Sequence, residues 1–563
     1  MSAATTGGPG GTQRDAESDR ARLRKILVTA QGGDLNGAAV LAEQALADGL
    51  RHPMLYNLVA LKLENEGRLE EAVTLLRQAL QSTPRDVSLL NALGLCLNRL
   101  DRWNEALATF EEIIGIDPAF APAYCSRGTS LEALGFLPAA EASYRRTLEL
   151  QPRNLAALAG MASLCSRRGD HEDARRYSEQ VLALEPNYPD ASQVVAAADL
   201  AAGEPARSEE RMRRLIAEPR LSPLERAVAH GFLGDALDAQ GRTDEAFAAY
   251  RTCNEERRRV YASRYAGQPT TREVVRWAIA CVTKAPRRAG SRGAAGEQPR
   301  PTPLRRDSAT PRAHLFLMGF PRSGTTLLEQ LLASHPDVVT LDERETLVDA
   351  VRSFLNSAAD LERLFDAPDD ELTVFRQQYW MRVREAGAQV AGRVFIDKHP
   401  LNTLKLPVVA RLFPDARILF ARRDPRDVVL SCYRRRFRMS PPMYELLTLH
   451  GAADLYDAAM RLAEFVEAVF RVDLRVVRHE TLVTQFETEV KAICAFAGLD
   501  WTESLREFAQ RVKHNTSATP SAAQLARGLS SEGIGQWRRY SHHMRAIMPI
   551  LDPWVRKFGY SAE

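Results

Sequence analysis

One segment of the 563-residue chain combines the residue types and the spacing of a phosphate-binding loop. The segment HLFLMGFPRSGTTLLEQLLASHP covers residues 314–336, and its first apolar run ends at Gly319. Four residues then separate Gly319 from Gly324, and a helical pattern begins at about Thr325. A turn of this kind presents backbone N–H groups and the positive end of a helix dipole to an anion. The spacing therefore predicts an anion site between the two glycines.

The loop departs from that of nucleotide triphosphatases at the position that decides the ligand. Triphosphatase loops continue with Gly-Lys-Ser or Gly-Lys-Thr, and the lysine reaches the β- and γ-phosphates. Here Gly324 is followed by Thr325 and Thr326, and the cation is Arg322 inside the loop. A loop without the lysine is poorly suited to a magnesium triphosphate, and it favours a smaller anionic group.

A second cationic cluster lies in ILFARRDPRDVVLSCYRRRF, residues 418–437. A strand-like run ends there in Arg422 and Arg423, where a triphosphatase would place an acidic residue for magnesium. Arginines at a strand end can hold a phosphate through two N–H groups. Ser431 follows Arg423 by eight residues, on a predicted helix that could return its hydroxyl to the same anion. Two anion sites without an obvious magnesium site indicate a bisphosphorylated nucleotide.

Both motifs resemble those of sulfotransferases that use 3′-phosphoadenosine 5′-phosphosulfate (PAPS). PRSGTT resembles the family's 5′-phosphosulfate loop, and RDPRDVVLS resembles its 3′-phosphate motif. The stretch TPSAAQL further resembles one whose serine contacts the nucleotide. The resemblance therefore implies these PAPS-binding residues: Arg322, Ser323, Gly324, Thr325, Thr326, Arg423, Ser431 and Ser521.

The same resemblance implies the catalytic groups. Glu343 stands a few residues after HPDV, in the place of the family's catalytic glutamate, and Lys398 of FIDKHP matches its catalytic lysine. Glu343 would take the acceptor proton as general base, while Lys398 and Arg322 would stabilise charge near the leaving oxygen. His399 stays open as an alternative base, because an unperturbed imidazole titrates near neutrality. The scheme requires no metal and leaves 3′-phosphoadenosine 5′-phosphate as product.

Departures from the tyrosylprotein sulfotransferases, which the domain resembles most, concern the acceptor. His399 stands where the family has an aspartate, and Glu345 where the tyrosylprotein enzymes have an arginine. His479 precedes Glu480 where the family has a tyrosine-glutamate pair. The resemblance therefore leaves a peptidyl tyrosine, a sugar, a lipid or a small phenol as the acceptor.

The elements that must position these residues form a predicted α/β domain over residues 313–563. Apolar runs alternate with helical stretches, as HLFLMGF, RVFID, ARILFAR and LRVVRH. This alternation predicts a parallel sheet with helices on both faces. The glycine loop follows the first run and the arginines follow the third. The fold class that we expect is a P-loop-like sulfotransferase domain.

A 34-residue period occupies the chain before that domain. An alanine recurs with this spacing at Ala38, Ala72, Ala106, Ala140 and Ala174. A turn residue precedes each alanine by five positions, at Gly33, Gly67, Asp101, Gly135 and Gly169. This is the tetratricopeptide (TPR) period, which predicts an all-α solenoid of helix pairs over residues 20–284. The repetition blurs after residue 190, and we expect a last helix pair over 223–262 and a capping helix over 270–284.

The remaining segments and the overall composition narrow the setting. Polar residues 1–19 predict a disordered tail, and Pro- and Arg-rich residues 285–312 predict a flexible linker. With 75 Lys+Arg against 72 Asp+Glu, we expect no nucleic-acid partner. Seven scattered cysteines predict neither disulfides nor a cysteine zinc site. The absence of a signal sequence and of an 18-residue apolar run predicts a cytoplasmic protein without a membrane span.

The main functional prediction is a PAPS-dependent sulfotransferase whose TPR array recruits or positions the acceptor. A TPR groove suits a peptide or protein partner, although scaffolding or a homodimer stays open. Two other classes stay open. One is a P-loop kinase-like phosphotransferase, which would bind ATP with magnesium, and the other is a non-catalytic TPR adaptor that senses a nucleotide.

Overall fold

A computed structural model describes residues 10–284, 310–470, 472–508 and 529–561, with only the backbone of residues 10–16 and 284. The part before the sheet is all helical. Its helices are α1 (Gly10–Gln31), α2 (Leu35–Ala47), α3 (Pro53–Asn65), α4 (Leu69–Ser82), α5 (Val87–Arg99), α6 (Trp103–Ile116), α7 (Ala121–Ala133), α8 (Leu137–Leu150), α9 (Leu155–Arg168), α10 (His171–Leu184), α11 (Pro189–Ala201), α12 (Pro205–Ile216), α13 (Pro223–Ala239), α14 (Thr243–Tyr265) and α15 (Thr271–Lys284).

The 34-residue period is confirmed as a repeat of helix pairs. All five predicted alanines are at most 1% exposed, because they lie where paired helices approach each other. All five predicted turn residues have positive φ, including the non-glycine Asp101 at 59°. Gly203 and Gly241 adopt the same conformation, so α11–α12 is a further pair within the stretch where the sequence repetition blurs. The expected last pair and the helix after it are confirmed as α13–α14 and α15.

The disordered tail predicted over residues 1–19 is wrong for residues 10–19, which belong to α1. Ala, Arg and Glu in this stretch favour helix. Farther along α1, Ile26 is 3% exposed and packs in the core of the first repeats. Residues 1–9 and most of the predicted linker, 285–309, lie outside the described residues. The boundaries expected at 284 and 313 therefore stay predictions.

The chain divides into two compact units. The first comprises Met1–Leu164 with Arg176–Leu184, and the second comprises Cys165–Arg175 with Glu185–Glu563. Helices α11–α15 thus share a unit with the sheet. Val275, Ala278, Cys281 and Val282 of α15 are buried in the same hydrophobic core as one face of the sheet.

The sheet has five parallel strands in the order β2-β3-β1-β4-β5. They are β1 (Ala313–Gly319), β2 (Val338–Asp342), β3 (Val394–Lys398), β4 (Arg417–Arg422) and β5 (Asp473–Arg478). The four apolar runs identified in the sequence are confirmed as β1, β3, β4 and β5. Strand β2 was missed because it is a short, half-buried edge strand with a polar Thr340 at its centre.

Helices and 3₁₀ turns surround the sheet. The helices are α16 (Thr325–Ala333), α17 (Val348–Phe354), α18 (Ala358–Asp366), α19 (Asp369–Glu385), α20 (Leu406–Leu412), α21 (Pro425–Arg434), α22 (Pro441–Glu445), α23 (Leu449–Phe470), α24 (His479–Thr484), α25 (Phe486–Ala497), α26 (Ser541–Met544) and α27 (Met548–Lys557). The 3₁₀ turns are Pro400–Lys405, Glu503–Leu505, Gln536–Tyr540 and Arg545–Ile547.

Side chains of β1 alternate between two hydrophobic cores, one on each face of the sheet. Leu315 and Leu317 pack with α16 and α25, while Phe316 and Met318 pack with α20 and α23. This alternation confirms the predicted three-layer arrangement. The seven cysteines are all buried thiols without disulfides, as the sequence predicts. Over the described ranges, no helix is both long enough and apolar enough to cross a membrane.

The helix pairs leave no room for a side chain at glycines that face an aromatic ring of the partner helix. A Cβ atom on Gly94 of α5 would lie 2.6 Å from the ring of Phe110 on α6, and the same contact recurs between Gly128 and Tyr144. Gly94→Val should therefore lower the free energy of unfolding by about 1–3 kcal/mol, measured by urea denaturation. Gly115→Ala is the matched control, because no atom lies within 4 Å of its Cβ, and helix propensity predicts a gain of up to about 1 kcal/mol. Equal effects of the two changes would contradict the packing explanation.

Candidate active site

A cavity of about 220 Å³ opens at the carboxyl ends of β1 and β4. The connections from β1 and β3 leave on opposite sides of the sheet at this point, which is where open α/β sheets bind ligands. The cavity brings together most of the predicted site residues. Those that line it are Arg322, Gly324, Thr325, Thr326, Glu343, His399, Arg423 and Ser431. Ser521 lies outside the described residues.

The loop after β1 has the geometry of an anion cradle. Gly324 has a φ of 99° and directly precedes α16, and no side chain caps that helix. The first N–H groups of a helix have no acceptor within the helix, so those of α16 remain for a ligand. A Cβ atom on Gly324 would lie 2.9 Å from His479 Nδ1, which explains why glycine occupies this position. The buried Ser323 closes the turn through its backbone N–H, which donates to the Phe320 carbonyl at 3.1 Å.

Arg322 joins the loop to the second motif. Its backbone has a φ of 70°, which is uncommon for a residue with a side chain. Its Nε donates a hydrogen bond of 3.0 Å to Ser431 Oγ. Burial, followed by repulsion from Arg435 and Arg423, lowers the pKa of Arg322 to about 9. An anion in the cavity would oppose both effects, so the site is electrostatically prepared for one.

Arg423 is oriented by neutral oxygen atoms. Its guanidinium donates to the Arg322 carbonyl at 3.3 Å and to the Gly533 carbonyl, while its buried Nε has no partner within the described residues. Nearby, His479 Nδ1 is also buried without a partner in the described chain. Burial, followed by Arg423 and Arg322, lowers the pKa of His479 to about 3, so this imidazole is neutral. The positive charge of Arg423 therefore remains available to a ligand.

The segment GIGQWRRY, to which the sequence assigns no role, completes the cavity wall. Asp427 of α21 accepts hydrogen bonds from the backbone N–H of Gly535 at 2.7 Å and of Trp537 at 2.9 Å. The Trp537 ring also lies 3.8 Å from the guanidinium carbon of Arg426. These contacts hold the Gly533 carbonyl against Arg423. The sequence offers no signal for the Asp427 contacts, because both hydrogen bonds come from backbone N–H groups of the segment.

The arginine run after Ser431 is another feature whose role sequence reasoning missed. Arg434 pairs with Asp238 and Arg436 with Asp235 at 2.7 Å, and both aspartates belong to α13. Arg435, between them, lines the cavity and has no ion pair in the described part of the chain. Burial lowers the pKa of Arg435, which again favours an anionic ligand. The last helix pair of the solenoid thus positions part of the cavity.

On the other side of the cavity, Lys398 gathers three carboxylates. Its fully buried Nζ lies 2.9 Å from Glu343 Oε1 and 3.5 Å from Glu329 Oε2, and it also contacts Asp342. Burial alone would lower the pKa of Lys398, but the carboxylates, led by Asp342, raise it overall. Lys398 lies behind Glu343 and does not itself line the cavity. Its predicted contact with a leaving group stays a prediction.

Glu343 presents its carboxylate to the cavity from an unusual backbone conformation. Its φ is 47°, and its N–H donates to the Lys398 carbonyl at 2.8 Å. The side chain is 43% exposed, so an acceptor can reach it. Within the described residues only three non-glycine residues have positive φ, and Arg322 and Glu343 are two of them. Backbone conformations of this kind concentrate at functional sites.

His399 is less suited than Glu343 to act as the base. Its Nδ1 accepts the Leu401 N–H at 3.2 Å, so Nε2 carries the proton when the ring is neutral. Nε2 lies 3.1 Å from Glu345 Oε1, and Glu345 also binds Lys405 at 2.6 Å. Both ring nitrogens are therefore engaged. Glu343, which faces the cavity, is the better candidate.

A buried carboxylate that sequence reasoning missed supports the loop that carries Glu343. Asp397 accepts hydrogen bonds from Thr346 Oγ1 at 2.7 Å and from the Tyr379 hydroxyl at 2.9 Å. Thr346 lies three residues after Glu343, and Asp397 directly precedes Lys398. Asp397 therefore fixes the strand end and the loop relative to each other. In the sequence, only its position directly before the predicted catalytic lysine could have indicated that Asp397 supports the site.

Comparison with known proteins agrees with this geometry. A model described as "Sulfotransferase family" matches residues 314–503, and a tetratricopeptide repeat model matches residues 56–119 and 125–192. The chain carries a sulfotransferase-family domain after a TPR array. The matched range contains the cavity loop, Glu343, Lys398, Arg423 and Ser431. The wall segment that contains Gly533 lies beyond it.

The individual relatives have low sequence identity to this chain. Protein-tyrosine sulfotransferase A of Caenorhabditis elegans is 23% identical over 44% of this chain and 67% of its own length. Protein-tyrosine sulfotransferase 2 of Gallus gallus is 25% identical over 44% and 69%, and nodulation protein NoeE of Sinorhizobium fredii is 28% identical over 34% and 54%. A protein of Aquifex aeolicus is 23% identical over 43% of this chain, which spans about a third of that relative's length.

One solved structure is a distant match. A tetratricopeptide repeat protein from Parabacteroides merdae covers 43% of this chain and 93% of its own, with 18% identity and a TM-score of 0.35.

Removal of the buried cation should make stability strongly dependent on pH. Burial, followed by Asp342, raises the pKa of Glu329, so its folded-state charge is unfavourable and stability falls as pH rises above the unfolded value near 4.5. Lys398→Met removes the opposing charge, which should cost about 3–5 kcal/mol at pH 8 and clearly less at pH 5. Urea denaturation at the two pH values measures this difference. The double variant Glu329→Gln/Lys398→Met is the control and should show a smaller pH dependence; an unchanged dependence would assign it to another group.

Proposed function

We propose that the chain transfers the sulfuryl group of PAPS to an acceptor hydroxyl. The observation that carries the proposal is a single cavity with two differently charged sides. Arg322, Arg423 and the uncapped N-terminus of α16 form the cationic side, and the ion-paired Glu343 stands on the other. The first side suits a bisphosphorylated nucleotide, and the second suits removal of a proton from the acceptor.

The residues present fit the donor at its two anionic ends. The N–H groups at the start of α16, together with Thr325 and Thr326, would surround the 5′-phosphosulfate. Arg423 and Ser431 would hold the 3′-phosphate. The buried Nε of Arg423 has no protein acceptor in the described residues, and a phosphate oxygen would supply one. Buried polar groups of this kind are expected where a ligand completes the hydrogen bonding.

The transfer breaks the bond between sulfur and the bridging oxygen of PAPS and forms a bond between sulfur and the acceptor oxygen. Glu343 receives the hydroxyl proton, and negative charge grows on the departing 5′-phosphate. Arg322 would stabilise that charge, because it reaches the cavity from the loop. As in phosphoryl transfer, catalysis would rest mainly on positioning and electrostatic stabilisation.

For the acceptor, we propose a peptidyl tyrosine as the first class to test. The relatives named protein-tyrosine sulfotransferases support it, since each of them is similar to this chain over 44% of its length. The TPR array would present the acceptor protein, because concave helical repeats commonly bind peptides. Sugars, lipids and small phenols remain the comparison substrates in the same assay.

The 3′-phosphate contact is tested by comparing two nucleotides. Arg423→Ala should weaken binding of 3′-phosphoadenosine 5′-phosphate by about tenfold to a hundredfold, as expected for a charged hydrogen bond. Binding of adenosine 5′-phosphate, which lacks that group, should change little. Isothermal titration calorimetry measures both affinities. Arg545→Ala, at an exposed arginine, is the matched control. Equal weakening of both nucleotides would remove Arg423 from the 3′-phosphate site.

The base is tested by separating turnover from donor binding. Glu343→Gln keeps the size of the side chain but cannot take a proton, so kcat should fall about 10²-fold to 10⁴-fold. Affinity for 3′-phosphoadenosine 5′-phosphate should be retained. Transfer from radiolabelled PAPS to tyrosine peptides measures turnover, and Glu362→Gln, at an exposed glutamate of α18, is the control. Undiminished turnover would exclude Glu343 as the base.

The kinase-like alternative predicts the opposite ligand preference. Thermal unfolding of the full chain with 3′-phosphoadenosine 5′-phosphate alone, or with ATP and magnesium, distinguishes the two. A shift with the bisphosphate alone supports the proposal. A shift only with ATP and magnesium would overturn it.

A further inference from the structure

Two histidines and an aspartate converge at a surface position away from the reaction cavity. His542 Nε2 lies 2.8 Å and His543 Nε2 lies 2.9 Å from the same oxygen, Asp244 Oδ1. The three potential ligand atoms lie within 4.8 Å of one another. None of these residues lines the reaction cavity. We propose that Asp244, His542 and His543 bind a divalent transition-metal ion, with Zn²⁺ as its best representative.

The ligand types favour this class of metal. Neutral imidazole nitrogens suit Zn²⁺, Ni²⁺ and Cu²⁺, whereas Mg²⁺ and Ca²⁺ prefer sites made of oxygen atoms. Two imidazoles and one carboxylate are a recurrent three-ligand set for Zn²⁺, with water in the fourth position. The exposure of Asp244, whose side chain is 75% accessible, leaves space for that water. The cysteine pattern predicts no zinc site, but this cluster needs no cysteine.

The distances require little adjustment. Metal–ligand bonds of about 2.0–2.1 Å in a tetrahedron place ligand atoms about 3.3 Å apart. The two N–O separations of 2.8 and 2.9 Å are therefore only a few tenths of an ångström too short. In the metal-free protein, each Nε2 would donate its hydrogen to Asp244. On binding, the metal would replace both hydrogens, and each ring would carry its proton on Nδ1.

One ligand is already held in place by ring stacking. The His543 ring stacks on Phe247 with centroids 4.0 Å apart and planes 6° apart, and Phe247 lies about one helical turn from Asp244 on α14. Phe247 also stacks on Tyr433, with centroids 5.5 Å apart. Tyr433 follows Ser431 of the cavity by two residues. A preorganised ligand lowers the conformational cost of binding.

The proposed ion would connect two parts of the second compact unit. Asp244 lies in the first turn of α14, in the last helix pair, whereas His542 and His543 form part of α26 near the end of the sulfotransferase domain. The ion would therefore join the solenoid's last helices to that domain. The stacked rings of His543, Phe247 and Tyr433 extend to α21, which also carries Ser431. The proposed metal site would therefore lie next to that helix. The proposal does not depend on which donor or acceptor the enzyme uses.

The test is a Zn²⁺ titration of the full chain, purified without a histidine tag and stripped with a chelator. Competition with a chromophoric chelator gives stoichiometry and affinity. We expect one equivalent to bind, and we expect His542→Ala and Asp244→Ala each to weaken binding by about tenfold or more. Both side chains are exposed, so the variants should fold, which circular dichroism verifies. His450→Ala, at an exposed histidine of α23, is the matched control and should bind like the unmodified chain.

Cobalt provides a second measurement. Co²⁺ in place of Zn²⁺ should give the visible absorption of a site with nitrogen and oxygen ligands, and this absorption should disappear in both variants. Absence of Zn²⁺ binding to the unmodified chain would overturn the proposal and leave the cluster as a pair of hydrogen bonds. Equal binding by all four proteins would also overturn it, and would direct attention to the cluster of Cys165, Asp170 and Asp173.

Discussion

The acidic side of the cavity depends on one buried ammonium group. Lys398 lies at the end of β3 with no exposed surface, and carboxylates from Asp342, Glu343 and Glu329 surround it. Carboxylates so close to one another repel without a cation, and burial would add a further penalty. The ammonium allows Glu343 to approach the sheet edge, where its N–H also binds the Lys398 carbonyl. Asp397, one residue earlier, holds the same loop through Thr346.

The cationic side is organised by a different principle. Arg322 donates to the Ser431 hydroxyl and Arg423 donates to backbone carbonyls, and these hydrogen bonds orient both guanidinium groups. Burial and the neighbouring arginines lower the pKa of Arg322, and an anion in the cavity would oppose that shift. The two sides of the cavity therefore differ in the charge of the groups that line them. On the acidic side the Lys398 ammonium is the countercharge of the carboxylates, whereas arginines and the N-terminus of α16 line the other side.

Local sequence signals predicted the features that depend on neighbouring residues. The loop between β1 and α16, the 34-residue period and four of the five strands could all be identified this way. Strand β2 could not, because a short edge strand carries too few apolar residues to stand out. The anchoring of Gly535 and Trp537 by Asp427 could not be predicted either, since backbone N–H groups donate to it from more than a hundred residues away. The position of Arg435 likewise depends on ion pairs with α13.

The contacts of α13 also bear on how such a protein could exchange parts during evolution. Asp235 and Asp238 compensate Arg436 and Arg434, and α15 fills the core beneath the sheet. The Pro-rich stretch at residues 285–312 marks a border in composition, but the energetic border lies earlier in the chain. Recombination at the compositional border would separate arginines from their counter-ions. Exchange of helical repeats between relatives would therefore be tolerated best upstream of α13, with the last helices inherited together with the sheet.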